Sequence, residues 1–114
     1  RTASITGAWV ALHIALAGML KEGLIGKMPL NDHVAAVSCG LYKDTAVLDL
    51  DYAEDSNAQA DANFVLTGNG GIVEIQGTAE EDPFTRAQFD ELLILAEQGI
   101  GNLVGLQKQA IGSV

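Results

Sequence analysis

The tetrad Gly68-Asn69-Gly70-Gly71 constrains this chain more than any other feature of its sequence. Glycine and asparagine tolerate the positive φ that tight reversals need, so such a cluster between two strand-like runs specifies a β-hairpin. The runs are Ala60 to Thr67 before it and Ile72 to Gly77 after it. No helix follows the glycines, so they read as a turn and not as a phosphate-cradling loop. Upstream, His33 to Tyr42 is rich in Val and Ala, with Val34, Ala36, Ser38 and Gly40 alternating against Ala35, Val37, Cys39 and Leu41. Lys43-Asp44 makes a tight turn, and Thr45 to Tyr52 returns as a further strand. The middle of the chain is therefore four strands.

Helical patterns flank them. Ile5, Trp9, Leu12, Leu16, Met19 and Leu20 recur at helical spacing from Arg1 to about Gly23. Thr2 or Ser4 can cap the start, Lys21 suits the last turn, and Gly23 is a natural stop. Gly26 to Asp32, with Pro29 inside it, is a loop. Near the other end, Thr85-Arg86-Ala87-Gln88 has the form of a capping box and follows Pro83-Phe84. Phe89, Leu92, Leu93, Ala96, Ile100, Leu103 and Val104 then make one apolar face of a long helix. Gly99, Gly101 and Gly105 weaken it or allow close packing. The expected organisation is a helix over 2–22, a sheet over 33–78 and a helix over 85–110. That order predicts one α+β domain: a mainly antiparallel four-stranded sheet with helices packed on one face.

The 114 residues are 48% hydrophobic, enough for a core, and only 5% aromatic, so that core is mostly Ala, Val, Ile and Leu. Six Lys and Arg face 15 Asp and Glu, a formal net charge of −9. Bulk electrostatics cannot draw such a chain to a polyanion. Any positive contacts to nucleic acid must be few and local, or come from another chain. The single Cys39 excludes an internal disulfide framework and a zinc ribbon, and fits a reducing, cytoplasmic setting. Ser4, Thr6 and His13 interrupt the apolar first 20 residues, so neither a membrane span nor a signal peptide is expected there. The chain opens at Arg1 inside a helical pattern, which reads as part of a longer or processed protein.

Ten acidic residues occur between Asp44 and Arg86 with no basic residue among them. Asp44, Glu80, Glu81 and Asp82 read as solvated turns. The stretch Asp49-Leu50-Asp51-Tyr52-Ala53-Glu54-Asp55 is different, because Asp is disfavoured in strands and Asp49 and Asp51 share a face. Close carboxylates repel unless donors or a hard cation such as Mg²⁺ compensate. Asp61 sits six residues past Asp55, close enough for the intervening segment to fold the two together. The alternatives are a metal or acid–base site and an ordinary solvated face. Arg1-Thr2-Ala3-Ser4, an Arg with two hydroxyls at a helix N-terminus, is a candidate anion site. His13 reads as a flank or core histidine, His33 lacks a second His at ligand spacing, and Cys39 reads as buried and inert.

RTASITGA (Arg1 to Ala8), DHVAAVSCG (Asp32 to Gly40), LDLDYAEDS (Leu48 to Ser56), DANFVLTGNGGIVEIQGTAE (Asp61 to Glu80) and PFTRAQFDELLILAEQGI (Pro83 to Ile100) together resemble ribonuclease PH. The resemblance runs from Arg1 to about Ile111 and covers the C-terminal half of that enzyme; the N-terminal half is absent. It implies the β-α-β-α fold shared with polynucleotide phosphorylase and the exosome ring. It implies a phosphorolytic 3′→5′ exoribonuclease that trims tRNA precursors, with inorganic phosphate as cosubstrate and nucleoside diphosphates as products. It further implies a homo-oligomeric ring, a hexamer built as a trimer of dimers. Arg1 would be the Arg of the family's phosphate-binding Gly-Thr-Arg triplet, with Thr2 and Ser4 beside it. Asp55 and Asp61 would match the family's catalytic and Mg²⁺-holding pair, with Asp49 of second rank. A second phosphate-binding Arg and the basic RNA contacts belong to the absent half, without which the first helix would expose apolar surface. Ala62 and Glu81-Asp82 depart from common family residues. The rival readings are a non-catalytic subunit of an exosome-like ring and a free-standing acidic metal-binding domain. Retention of Arg1, Asp55 and Asp61 argues against the former.

Overall fold

The structure is a computed structural model that describes residues 2–48 and 59–112. In chain order the elements are α1 (Thr2–Lys21), β1 (Val34–Tyr42), β2 (Thr45–Leu48), β3 (Ala60–Thr67), β4 (Ile72–Ala79) and α2 (Arg86–Ile111). The strands form one antiparallel sheet in the order β2-β1-β3-β4. The domain is thus α+β, as the patterning predicts. The strand expected over 45–52 is present at Thr45–Leu48, and its remainder lies outside the described residues.

Both predicted turns form by their expected chemistry. Lys43 and Asp44 adopt φ of 51° and 61°, the primed-turn geometry that matches strand twist. Gln59 braces this turn, accepting from the Asp44 amide at 2.7 Å and donating to the Asp44 carboxylate at 3.0 Å. In the glycine tetrad Gly70 takes φ of 86°, and the Gly71 amide donates to the Thr67 hydroxyl at 2.8 Å. The capping box also forms: Thr85 Oγ1 accepts from Gln88 N, and Gln88 Oε1 accepts from Thr85 N.

Register decides the core. Ala35, Val37, Cys39 and Leu41 of β1 lie opposite Leu66, Phe64, Ala62 and Ala60 of β3, and all eight are buried. They share one sheet face because side chains alternate along a strand. Leu92, Ala96, Ile100 and Val104 of α2 cover that face. Gly99 permits the approach, since a Cβ there would lie 2.9 Å from Leu48 Cδ2 and 3.3 Å from Val37 Cγ1.

α1 runs along β1 in the opposite direction. Thr6 Oγ1 accepts from the Ala36 amide at 3.1 Å, and Trp9 Nε1 donates to the Asp32 carbonyl at 2.9 Å. Buried Gln107 of α2 ties the junction together, donating to Thr6 O at 3.1 Å and Val34 O at 2.9 Å. Of the predicted α1 stripe only Trp9 is buried, while Leu12, Met19 and Leu20 are exposed. One expectation needs correction. By length and composition α1 is apolar enough to cross a membrane, because Ser4, Thr6 and His13 are outweighed by the Ala, Val, Ile and Leu around them. Its contacts with Ala36, Asp32 and Gln107 place it on the sheet.

Candidate active site

Asp61 is the second residue of β3 and faces away from the α2 core. Its direct neighbours are Gly40 on β1 and Thr78 on β4. Asp61 is half-buried, whereas Thr78 is exposed. Two residues further along the same face, Ser38, Asn63 and Gln76 form the next row across the three strands. Ser38 Oγ donates to Asn63 Oδ1 at 2.8 Å. The row beyond that is Ala36, Val65 and Glu74.

The direction of α1 relates this face to the candidate anion site. Thr6 touches Ala36 and Trp9 touches Asp32, so earlier helix residues lie toward Ser38 and Gly40. The first turn of α1 therefore points toward the end of β1 that holds the Asp61 row. Thr2 is half-buried, and its carbonyl accepts from the Thr6 hydroxyl at 3.3 Å; Ser4 is exposed on the first turn. A helix N-terminus presents unsatisfied N–H groups and positive potential, which suit an anion. Arg1, Asp49 and Asp55 lie outside the described residues. Sequence reasoning missed Ser38 and Asn63. Polar residues in strand interiors are a signal, but only the cross-strand register shows that these two meet.

Among the described residues, no group of three His, Cys, Asp or Glu is arranged to hold a metal ion. Asp61 does fit a hard cation as one member of a set, since Mg²⁺ is commonly held by one or two carboxylates with waters and substrate phosphates.

The other titratable candidates are structural. His33 stacks on the Trp9 indole at 4.2 Å between centroids, and His13 stacks at 5.3 Å. Burial, then the Lys108 cation, hold the His33 pKa below its ordinary value against the pull of Asp32. Asp32 accepts from the His33 amide at 2.7 Å and the Asn69 amide at 3.1 Å. Desolvation pushes the Asp32 pKa up, but these bonds and one from the Thr67 hydroxyl outweigh it and leave it lowered. Cys39 is buried, as expected.

The 3′ exoribonuclease family, domain 2, matches residues 32–99. The chain belongs to this family. A ribonuclease PH of Rhodospirillum rubrum is 70% identical over 114 residues, which is 100% of this chain and 48% of that protein. A ribonuclease PH of Methylorubrum populi is 68% identical over 111 residues, covering 97% of this chain and 47% of its own length. The chain thus spans about half the length of these curated relatives. Among solved structures, an Archaeoglobus fulgidus exosome with RNA bound to the active site aligns with a TM-score of 0.58 at 17% identity, covering 75% of this chain and 35% of that one. Rice Rrp46 aligns with a TM-score of 0.55 at 17% identity, over 88% and 44% of the two chains. These structural likenesses establish a shared fold.

Proposed function

We propose that this chain is the second half of a phosphorolytic 3′→5′ exoribonuclease of the ribonuclease PH type, acting on the 3′ ends of tRNA precursors. Inorganic phosphate attacks the terminal phosphodiester, and a nucleoside diphosphate leaves. The observation that carries the proposal is that the first turn of α1 points toward the end of β1 at which Asp61 pairs with Gly40. The identity with ribonuclease PH along the whole chain supports it.

The chemistry has one central obstacle: a phosphate dianion must approach an anionic backbone. Arg1, with Thr2 and Ser4 at the helix N-terminus, would bind the incoming phosphate and offset part of that repulsion. Asp61, with Asp55 and Asp49 of the neighbouring segment, would hold Mg²⁺, which when bound neutralises charge on the phosphoryl oxygens. Whichever of Asp61 and Asp55 does not hold the metal directly would act as the acid that protonates the departing 3′ oxygen. The net charge of −9 is compatible with RNA binding if the basic contacts come from the half of the domain that relatives carry before this region. The same reading has the complete protein in the cytoplasm as a homohexameric ring, testable by native mass spectrometry.

The decisive experiment is Asp61→Asn in the complete enzyme that carries this chain. Phosphate-dependent release of nucleoside diphosphates should fall by about 10²-fold or more, the scale of lost acid–base assistance, with assembly unchanged. An unchanged rate would remove Asp61 from the site. In parallel, Arg1→Ala should raise KM for phosphate more than KM for RNA.

A further inference from the structure

A row of uncharged polar side chains runs across three strands beside Asp61. Ser38, Asn63 and Gln76 are direct cross-strand partners, one row away from Gly40, Asp61 and Thr78 on the same face. Ser38 Oγ donates to Asn63 Oδ1 at 2.8 Å, which leaves the two N–H groups of Asn63 Nδ2 to donate elsewhere. Ser38 and Asn63 are both half-buried. Asn is disfavoured in strands, and this face elsewhere takes Val34, Ala36 and Val65 without difficulty. The polar pair is therefore not what sheet formation by itself selects.

We propose that Asn63 is a substrate-binding residue whose side-chain amide donates to a phosphoryl oxygen held beside Asp61, with Ser38 fixing its orientation. This rests on the reading of Asp61 as part of the phosphorolytic site. Electrostatics favours a neutral donor at this place. β1, β3 and β4 contain no Lys or Arg. A cation in the Asn63 position would pair with Asp61 and compete with a metal for its carboxylate. An amide gives a hydrogen bond to an anionic oxygen and leaves the charge of Asp61 untouched.

The oxygen can belong to orthophosphate or to the RNA backbone, and the assay separates the two. In a complete ribonuclease PH carrying this chain, Asn63→Ala, Asn63→Asp and Ser38→Ala are compared with Asp61→Asn. Phosphate and RNA are varied separately in steady-state phosphorolysis. Binding of a fluorescently labelled RNA is followed by anisotropy without phosphate, and melting temperature reports folding. Asn63→Ala should raise one KM about tenfold, the scale of a lost hydrogen bond to a charged group. A rise in the RNA KM together with weaker anisotropy assigns the backbone; a rise in the phosphate KM alone assigns orthophosphate. Asn63→Asp should lose more, because a carboxylate beside Asp61 repels the same oxygen. Ser38→Ala should move the same parameter by roughly threefold, through lost orientation alone. If Asn63→Ala folds poorly, Asn63→Thr preserves strand propensity while removing the amide, and a rise in the same KM larger than the one Ser38→Ala causes supports the proposal, whereas no rise overturns it. Unchanged KM values and unchanged anisotropy in both Asn63→Asp and Ser38→Ala overturn it, as does a lowered melting temperature with no kinetic change. An inactive Asp61→Asn beside a normal Asn63→Asp rejects Asn63 alone, whereas an active Asp61→Asn rejects the site reading beneath it.

Discussion

Replacing Gln107 by Glu tests how α1 is fastened to the sheet, because the change is nearly isosteric and removes only a donor. In the native fold Nε2 donates to Thr6 O and Val34 O, and the side chain is 2% exposed. Among the described residues Oε1 has no hydrogen-bond partner. An ionised carboxylate would therefore sit against two carbonyl oxygens in a buried site, where their repulsion adds to desolvation. The cheaper state keeps the introduced acid protonated. Holding a carboxyl of ordinary pKa about 4.3 protonated at pH 7 costs at most about 3.7 kcal/mol, at 1.36 kcal/mol per pH unit. The protonated acid restores one of the two bonds, so loss of the other adds about 1 kcal/mol. The expected destabilisation is about 4–5 kcal/mol at pH 7, a large share of the 5–15 kcal/mol typical of a domain. Because the folded pKa is raised, the penalty shrinks as pH falls toward the unfolded value, to roughly 2 kcal/mol at pH 5. Urea unfolding followed by the single Trp9 at both pH values reads this directly. A penalty below 1 kcal/mol at pH 7, or one that does not change with pH, would refute the reasoning.

Three further outcomes follow from particular contacts. Thr85→Ala should cost about 1 kcal/mol by urea titration, since it removes the hydroxyl that accepts from the Gln88 amide at 3.1 Å. Gly99→Val should lower the melting temperature by several degrees, because even a Cβ approaches Leu48 Cδ2 to 2.9 Å, and overpacking commonly costs about 1–3 kcal/mol. The lowered pKa of His33 means that the unfolded chain binds its proton first, so this contribution to stability is complete above about pH 6.5 and is lost as pH falls below it. His33→Phe should remove that component of the pH profile while keeping the stack on Trp9, and an unchanged profile would count against it.

The fold was legible where chemistry is local. Gly68-Asn69-Gly70-Gly71, Lys43-Asp44 and the Thr85–Gln88 box each act over three or four residues, and each forms as its residue types require. The α2 stripe was legible for the same reason, since helical period alone selects Leu92, Ala96, Ile100 and Val104 for the core. The α1 stripe marks the helix but not which side is covered, because nearly every position of that helix is apolar or small; its exposed Leu12, Met19 and Leu20 match the apolar surface expected there.

By itself, the sequence determined the α-ββββ-α order, the turns, the capping box of α2 and the acidic character. Each depends on residues close together in the chain or on a simple sum. Only the tertiary structure decided the strand order, the exit of Asp61 away from the core, and the meeting of Ser38 with Asn63 across 25 positions. It likewise decided that Gln107 would join α1 to β1 across 101 and 73 positions. Strand register and helix docking are set by which faces bury together. Shifting a strand by one residue would send Asp61 into the core and Ala62 to the site face, and only packing against α2 selects between them.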